Sequence, residues 1–169
     1  GTLEFFPEEG KYHYDGHRAC SVRMAPEDTR KHKGRCPACN SKVTVGVMHR
    51  VEELADHPPG RRPVQARSFN SIIPLMEIIA EVERIGVNSK KVNTIYLDLL
   101  SRLGNEYHVL VDSAIKDIRQ VGSDLLGEAI NRMRNGKVSI YPGYDGEFGT
   151  IRVFASEERE QFSDQLGLF

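Results

Sequence analysis

A chain of 169 residues is long enough for one ordinary domain, or for a small module joined to a larger one. Its 23 basic and 24 acidic residues leave a formal net charge of −1, so nothing global steers it to a polyanion and any basic surface must be local. No apolar run approaches the roughly 20 residues of a membrane helix, and three cysteines do not make a disulfide framework, so no membrane is expected and the expected setting is reducing and cytoplasmic.

The first fifty residues are rich in Gly, Pro, His and Cys, with β-prone pieces such as KVTVGVMHRV. His17-x-x-Cys20, fifteen intervening residues and Cys36-x-x-Cys39 follow the two-knuckle zinc spacing, with histidine in place of one cysteine. A two-residue gap lets both ligands of one tight turn point at the same ion, and the longer gap leaves room for a strand pair that brings the second turn alongside. Four protein ligands close a tetrahedron, so a Zn²⁺ held by His17, Cys20, Cys36 and Cys39 is structural and not catalytic. His13 and His49 remain as alternative fourth ligands. A redox reading of CPAC lacks the βαβ surroundings it needs.

Residues 52–68, EELADHPPGRRPVQARS, contain Pro58, Pro59, Gly60 and Pro63 and cannot continue a helix; they read as a linker carrying Arg61, Arg62 and Arg67. IPLMEIIAEVERIG then places Leu75, Ile78, Ile79, Val82 and Ile85 at helical spacing, with Pro74 in the first turn and Gly86 as the stop. NSKKVNTIYLDLLSRLG predicts a second helix, capped by Ser89 and ended by Gly104. EYHVLVD reads as β. SAIKDIRQVG and SDLLGEAINRMRNG read as two helices, each opening on a serine, and KVSIYPG and GTIRVFA as two strands around the loop GYDGEFG. The expected fold class is α+β. A zinc-ribbon-like module (1–51) and a linker (52–71) precede a mainly helical region with a C-terminal β-hairpin (72–155) and a tail (156–169).

Two further stretches suggest partners. The turn between the first two helices sets Asn88 and Ser89 before Lys90 and Lys91, similar to a helix-hairpin-helix DNA contact, with Asn88 where a second glycine is usual; free N–H groups and two lysines make a phosphate seat. Arg50 and Tyr144 are further candidates on side-chain chemistry, one to pair with a phosphate and one to stack on a base. The chain ends in QLGLF, where Gln165, Leu166, Leu168 and Phe169 match four of the five positions of the pentapeptide by which bacterial repair proteins bind the sliding clamp. Asp145 and Glu147 have no nearby histidine to complete an acid–base or metal set, so no catalytic residue is assigned.

Taken in order, FFPEEGKYHYDGHRAC, CPAC, VGVMHRVEELADHP, IIAEV and PGYDGEFGTIRVF resemble the C-terminal portion of endonuclease Q-type proteins, over about residues 3–154. That resemblance implies a zinc-binding module and a helical region that follow a polymerase-and-histidinol-phosphatase-type hydrolase domain, in a family that nicks DNA 5′ of deaminated bases and abasic sites. The His-x-His pair that opens such a hydrolase is not found here, and the chain begins at Gly1. The expectation is therefore a DNA-binding and clamp-tethering fragment that does not itself cut. A zinc-stabilised accessory domain of a DNA helicase, or a protein-interaction module, are the alternatives.

Overall fold

The computed structural model describes residues 1–155 and Glu158. It is an α+β chain that divides into two compact units. Within the described residues one unit comprises Gly1–Phe5, Phe69–Ser139 and residues 152–155 with Glu158, and the other Phe6–Ser68 and Ile140–Ile151. The contiguous division drawn from composition therefore differs from the structure at two places. The first five residues belong with the helical part because β1 (Thr2–Phe5) pairs in parallel with β4 (Phe69–Ile72), Thr2 facing Phe69 and Phe5 facing Ile72. The glycine loop belongs with the Cys/His part because its backbone is bonded there.

In the Cys/His unit, β2 (Asp15–His17) and β3 (Val22–Met24) form a short antiparallel hairpin, His17 facing Val22. The gap between the two knuckles holds β3 and a short helix, α1 (Pro26–Lys31), rather than a strand pair. Pro26 opens α1, where its missing N–H costs nothing. The chain then returns through Thr44, which exchanges two backbone bonds of 2.9 Å with Gly16. VMHRVEEL, whose first five residues end the expected β-prone stretch and whose last three open the expected linker, is a helix, α2 (Val47–Leu54). Its apolar residues Val47, Val51 and Leu54 recur at i, i+4 and i+7, and this helical period prevails over the β-branched preference of two valines. The first N–H groups of α2 are satisfied by the Tyr12 and His13 carbonyls, at 2.8 and 3.0 Å.

The loop GYDGEFG lies between β5 (Ser139–Tyr141) and β6 (Thr150–Arg152), the two strands expected from sequence. Four backbone bonds of 2.8–3.0 Å tie it to the start of the same unit: Gly143 N–H to Glu8, Tyr14 N–H to Gly143, Gly146 N–H to Lys11 and Gly149 N–H to Glu9. A Cβ on Gly143 or Gly149 would strike backbone atoms on the facing segment, so the glycines allow two backbones to touch. The loop is therefore a clasp as well as the connection of a β-hairpin.

The helical unit is built from α3 (Leu75–Glu83), α4 (Lys90–Leu103), α5 (Ile115–Val121) and α6 (Asp124–Arg134). Ile73, Leu75, Ile78, Ile79, Val92, Leu99, Ile118, Leu126 and Ile130 are almost wholly buried and make one apolar core. Ser89 and Ser123 cap α4 and α6 by accepting the Val92 and Leu126 N–H groups. Ser113 does not cap α5, whose N-cap is Ala114. Pro74 stands one place before α3 instead of inside its first turn, and the Leu75 N–H is bound by the Glu106 carboxylate at 2.8 Å.

The segment EYHVLVD is not a strand. It winds into a wide helical turn, His108–Asp112, closed by a 2.8 Å bond from the Ser113 N–H to the His108 carbonyl. Val109 and Leu110 are buried, and the Arg134 guanidinium holds both of their carbonyls, at 2.9 and 2.8 Å. At the other end, Glu81 accepts the N–H groups of Val153 and Phe154 at 3.0 and 2.9 Å. No helix among the described residues is long and apolar enough to cross a membrane.

Candidate metal centre and nucleic-acid interface

His17 ends β2, and Cys20 lies in the helical turn Arg18–Cys20 that follows. That turn closes with the Ser21 N–H on the Arg18 carbonyl, and Ser21 takes a left-handed conformation, φ 52°. The second knuckle repeats the device: the Asn40 N–H bonds to the Cys36 carbonyl at 2.8 Å, and Asn40 has φ 60°. Each pair of candidate ligands is thus followed by one left-handed residue that folds the chain back, a conformation that asparagine tolerates better than most.

The ligand atoms of His17, Cys20, Cys36 and Cys39 all lie within 4.8 Å of one another. Around a tetrahedral zinc, with Zn–S of about 2.3 Å and Zn–N of about 2.0 Å, neighbouring ligand atoms sit roughly 3.5–3.8 Å apart. His17 Nδ1 and Cys39 Sγ are already at 3.4 Å, so the residues fit such an ion with small adjustments. The thiols share their protons unequally. Hydrogen bonding to Cys39, with burial behind it, pushes the Cys20 thiol up to about 11, while hydrogen bonds from Ser41 bring Cys39 down to about 6. A bound cation removes that competition by taking every sulfur as thiolate.

Of the alternative ligands, neither joins the cluster. His13 is buried, its ring tilted against Tyr14. The His49 Nδ1 lies 2.7 Å from Asp15 Oδ2, while Asp15 Oδ1 accepts the Gly46 N–H at 2.7 Å. Asp15 is fully buried, and sequence reasoning passed over it between two more conspicuous histidines. Asp145, in the glycine loop, accepts the Thr44 hydroxyl at 2.5 Å and the Arg18 N–H at 2.6 Å, and these bonds hold its carboxyl below the usual carboxylate range. It straps the segment just after His17 to the segment just after Val43.

The other candidate residues fall in separate places. Arg50 is exposed on α2 and pairs with Glu53 at 2.8 Å. The Tyr144 ring packs on Gly16, where a Cβ would collide with it, and burial raises its hydroxyl. In the helical unit, Arg84 ends α3 in the left-handed conformation, φ 57°; neither Gly86 nor Asn88 adopts a positive φ, so the turn does not use Asn88 as a glycine substitute. Asn88, Lys90 and Lys91 are exposed, and Ser89 is half-buried as the cap. Lys91 forms an ion pair with Glu83 across the turn, whereas Lys90 has no carboxylate partner among the described residues. Nearby, a groove of about 250 Å³ is lined chiefly by Ile79, Val82, Ile95, Val121 and Leu126. Gln165, Leu166, Leu168 and Phe169 lie outside the described residues.

Residues 74–137 match the family model described as the MJ0043 C-terminal domain. Over 166 residues the chain is 34% identical to the uncharacterized protein MJ0043 of Methanocaldococcus jannaschii, covering 96% of this chain and 20% of that protein. Among solved structures it is similar to the lesion-specific endonuclease PfuEndoQ from Pyrococcus furiosus, with a TM-score of 0.78 and 31% identity over 94% of this chain and 40% of the other. It is also similar to an endonuclease Q in complex with a 27-mer duplex substrate that carries an abasic lesion at the active site, with a TM-score of 0.74 and 33% identity over 92% of this chain and 38% of the other. The chain thus spans a fifth of the curated relative and about two fifths of each solved one.

Proposed function

We propose that the chain is the zinc-stapled, DNA-gripping portion of a DNA-repair endonuclease that acts at deaminated bases or abasic sites. The likeness to a lesion-specific endonuclease across nearly the whole chain carries this reading. The Cys₃His cluster supplies the staple. The turn before α4 supplies the seat for a phosphate: Ser89 consumes the Val92 N–H, the N–H groups of Lys90 and Lys91 lead the helix, and Lys90 is exposed in its first turn. Cleavage is assigned to a metal-dependent hydrolase domain elsewhere in the parent protein, where bound metal ions activate water.

Binding of the isolated chain to an abasic 27-mer duplex, followed by fluorescence anisotropy, tests the grip. Three or four phosphate contacts predict a loss of affinity of at least tenfold between about 50 and 200 mM salt. The duplex is expected to remain uncut. A chain with no affinity even at the lower salt contradicts the reading.

The tail residues Gln165, Leu166, Leu168 and Phe169 are assigned to a sliding clamp, as an extended peptide with apolar anchors. Removing the last five residues is expected to abolish capture by a bacterial sliding clamp while zinc content stays at one per chain. Undiminished capture defeats the assignment.

A further inference from the structure

The connection between α2 and β4 is unusual in length and in charge. Residues 55–68 contain neither helix nor strand, and every residue from 51 to 70 is exposed, Val64 completely. Structureless connections of this length inside a compact protein are uncommon, and when present they tend to carry function. In a chain with 24 acidic residues, no Asp or Glu occurs from His57 to Met76, while Arg61, Arg62 and Arg67 do.

The loop is also stiff. Pro58, Pro59 and Pro63 fix their own φ and hold the residues before them extended. Two of them open turns: the Arg61 N–H bonds to the Pro58 carbonyl at 3.4 Å and the Ala66 N–H to the Pro63 carbonyl at 3.0 Å. Arg61 closes the first turn, Arg62 lies between the two, and Arg67 directly follows the second. The Arg61 guanidinium reaches the His57 ring at 2.8 Å, and Arg67 has no carboxylate partner among the described residues. Prolines lower the entropy lost on binding, and guanidinium forks match phosphate oxygens in pairs.

We propose that this arginine loop is a second DNA-backbone contact, separate in sequence from the Asn88–Lys91 turn, which binds phosphates without reading bases. The proposal rests on the DNA-grip reading above and adds a site to it. Its test compares three proteins on one duplex by the slope of log affinity against log salt: the unaltered chain, Arg61→Gln/Arg62→Gln/Arg67→Gln, and a control, Lys33→Gln/Lys116→Gln/Lys137→Gln, at exposed sites elsewhere in the sequence.

Each phosphate contact contributes about 0.9 to the slope, so the arginine variant is expected to lose roughly 2 to 3 units, with circular dichroism and zinc content unchanged. The control is expected to keep the parent slope. An arginine variant with the parent slope overturns the proposal and leaves the DNA-grip reading standing. A control that loses as much slope also overturns it, because the effect is then bulk charge. So does a variant that loses only binding to poly-glutamate, which gives the arginines to an acidic protein partner. An unaltered chain that binds no duplex at all overturns both readings.

Discussion

Replacing Cys36 with serine is expected to unfold the Phe6–Ser68 unit and to abolish zinc binding, while the far-ultraviolet signal of the helical unit survives. The asymmetry follows from where apolar surface is buried. Among the described residues, the buried cluster around the candidate ligands contains Met24, Cys36 and Val43, with Cys20 and Val22 packed against it. A core of that size does not offset the conformational entropy of ordering about 75 residues. A structural zinc contributes about 10–16 kcal/mol of apparent binding free energy near pH 7, enough to decide whether such a unit folds. The helical unit has its own buried set, from Ile73 through Ile130, and is expected to stay folded when the metal is lost.

Metal analysis of the unaltered chain should return one zinc per molecule. His17→Ala should reduce it, His17→Cys should restore it as a four-thiolate site, and His13→Ala and His49→Ala should leave it intact. Absence of zinc from the unaltered chain, or retention of dispersed amide resonances from residues 6–68 in Cys36→Ser, defeats the structural-metal assignment.

The features legible in the sequence are those whose physics is local. Two ligands three places apart on one turn meet by construction, so His17 with Cys20 and Cys36 with Cys39 could be paired before any fold was known. Ser89 and Ser123 were legible for the same reason, since a cap acts on an N–H three residues ahead. Short apolar runs were not. EYHVLVD offers three adjacent apolar residues, too few to distinguish a period of two from one of 3.6, and the Arg134 guanidinium that settles its conformation lies more than twenty residues away. The glycine loop failed to reveal itself because its partners, Glu8 to Tyr14, are more than 120 residues upstream. Likewise β1 could not be assigned to the helical unit until it was seen to pair with β4.

Asp15→Ala is expected to cost about 2–4 kcal/mol, because a buried acceptor is removed and the donors it served are left behind. Asp15 is wholly excluded from water and each of its oxygens has one short bond, to the Gly46 N–H and to the His49 ring. Truncation orphans two donors at the entry to α2 and leaves a void. Asp15→Asn separates the contributions. Its amide oxygen can still accept from Gly46, but its NH₂ then faces His49 Nδ1, which must give up its proton and accept. The expected cost is about 1 kcal/mol, and the ring should change from the Nδ1–H to the Nε2–H tautomer, visible in its ¹⁵N shifts. With the ring so reversed, the nitrogen turned toward Glu53, 3.9 Å away, becomes a donor in place of an acceptor. Urea denaturation of the zinc-loaded chain gives the two costs. Asp15→Ala within about 1 kcal/mol of the parent contradicts the assignment, because the orphaned, buried Gly46 N–H alone costs about 1–3 kcal/mol and the half-buried His49 ring adds to it.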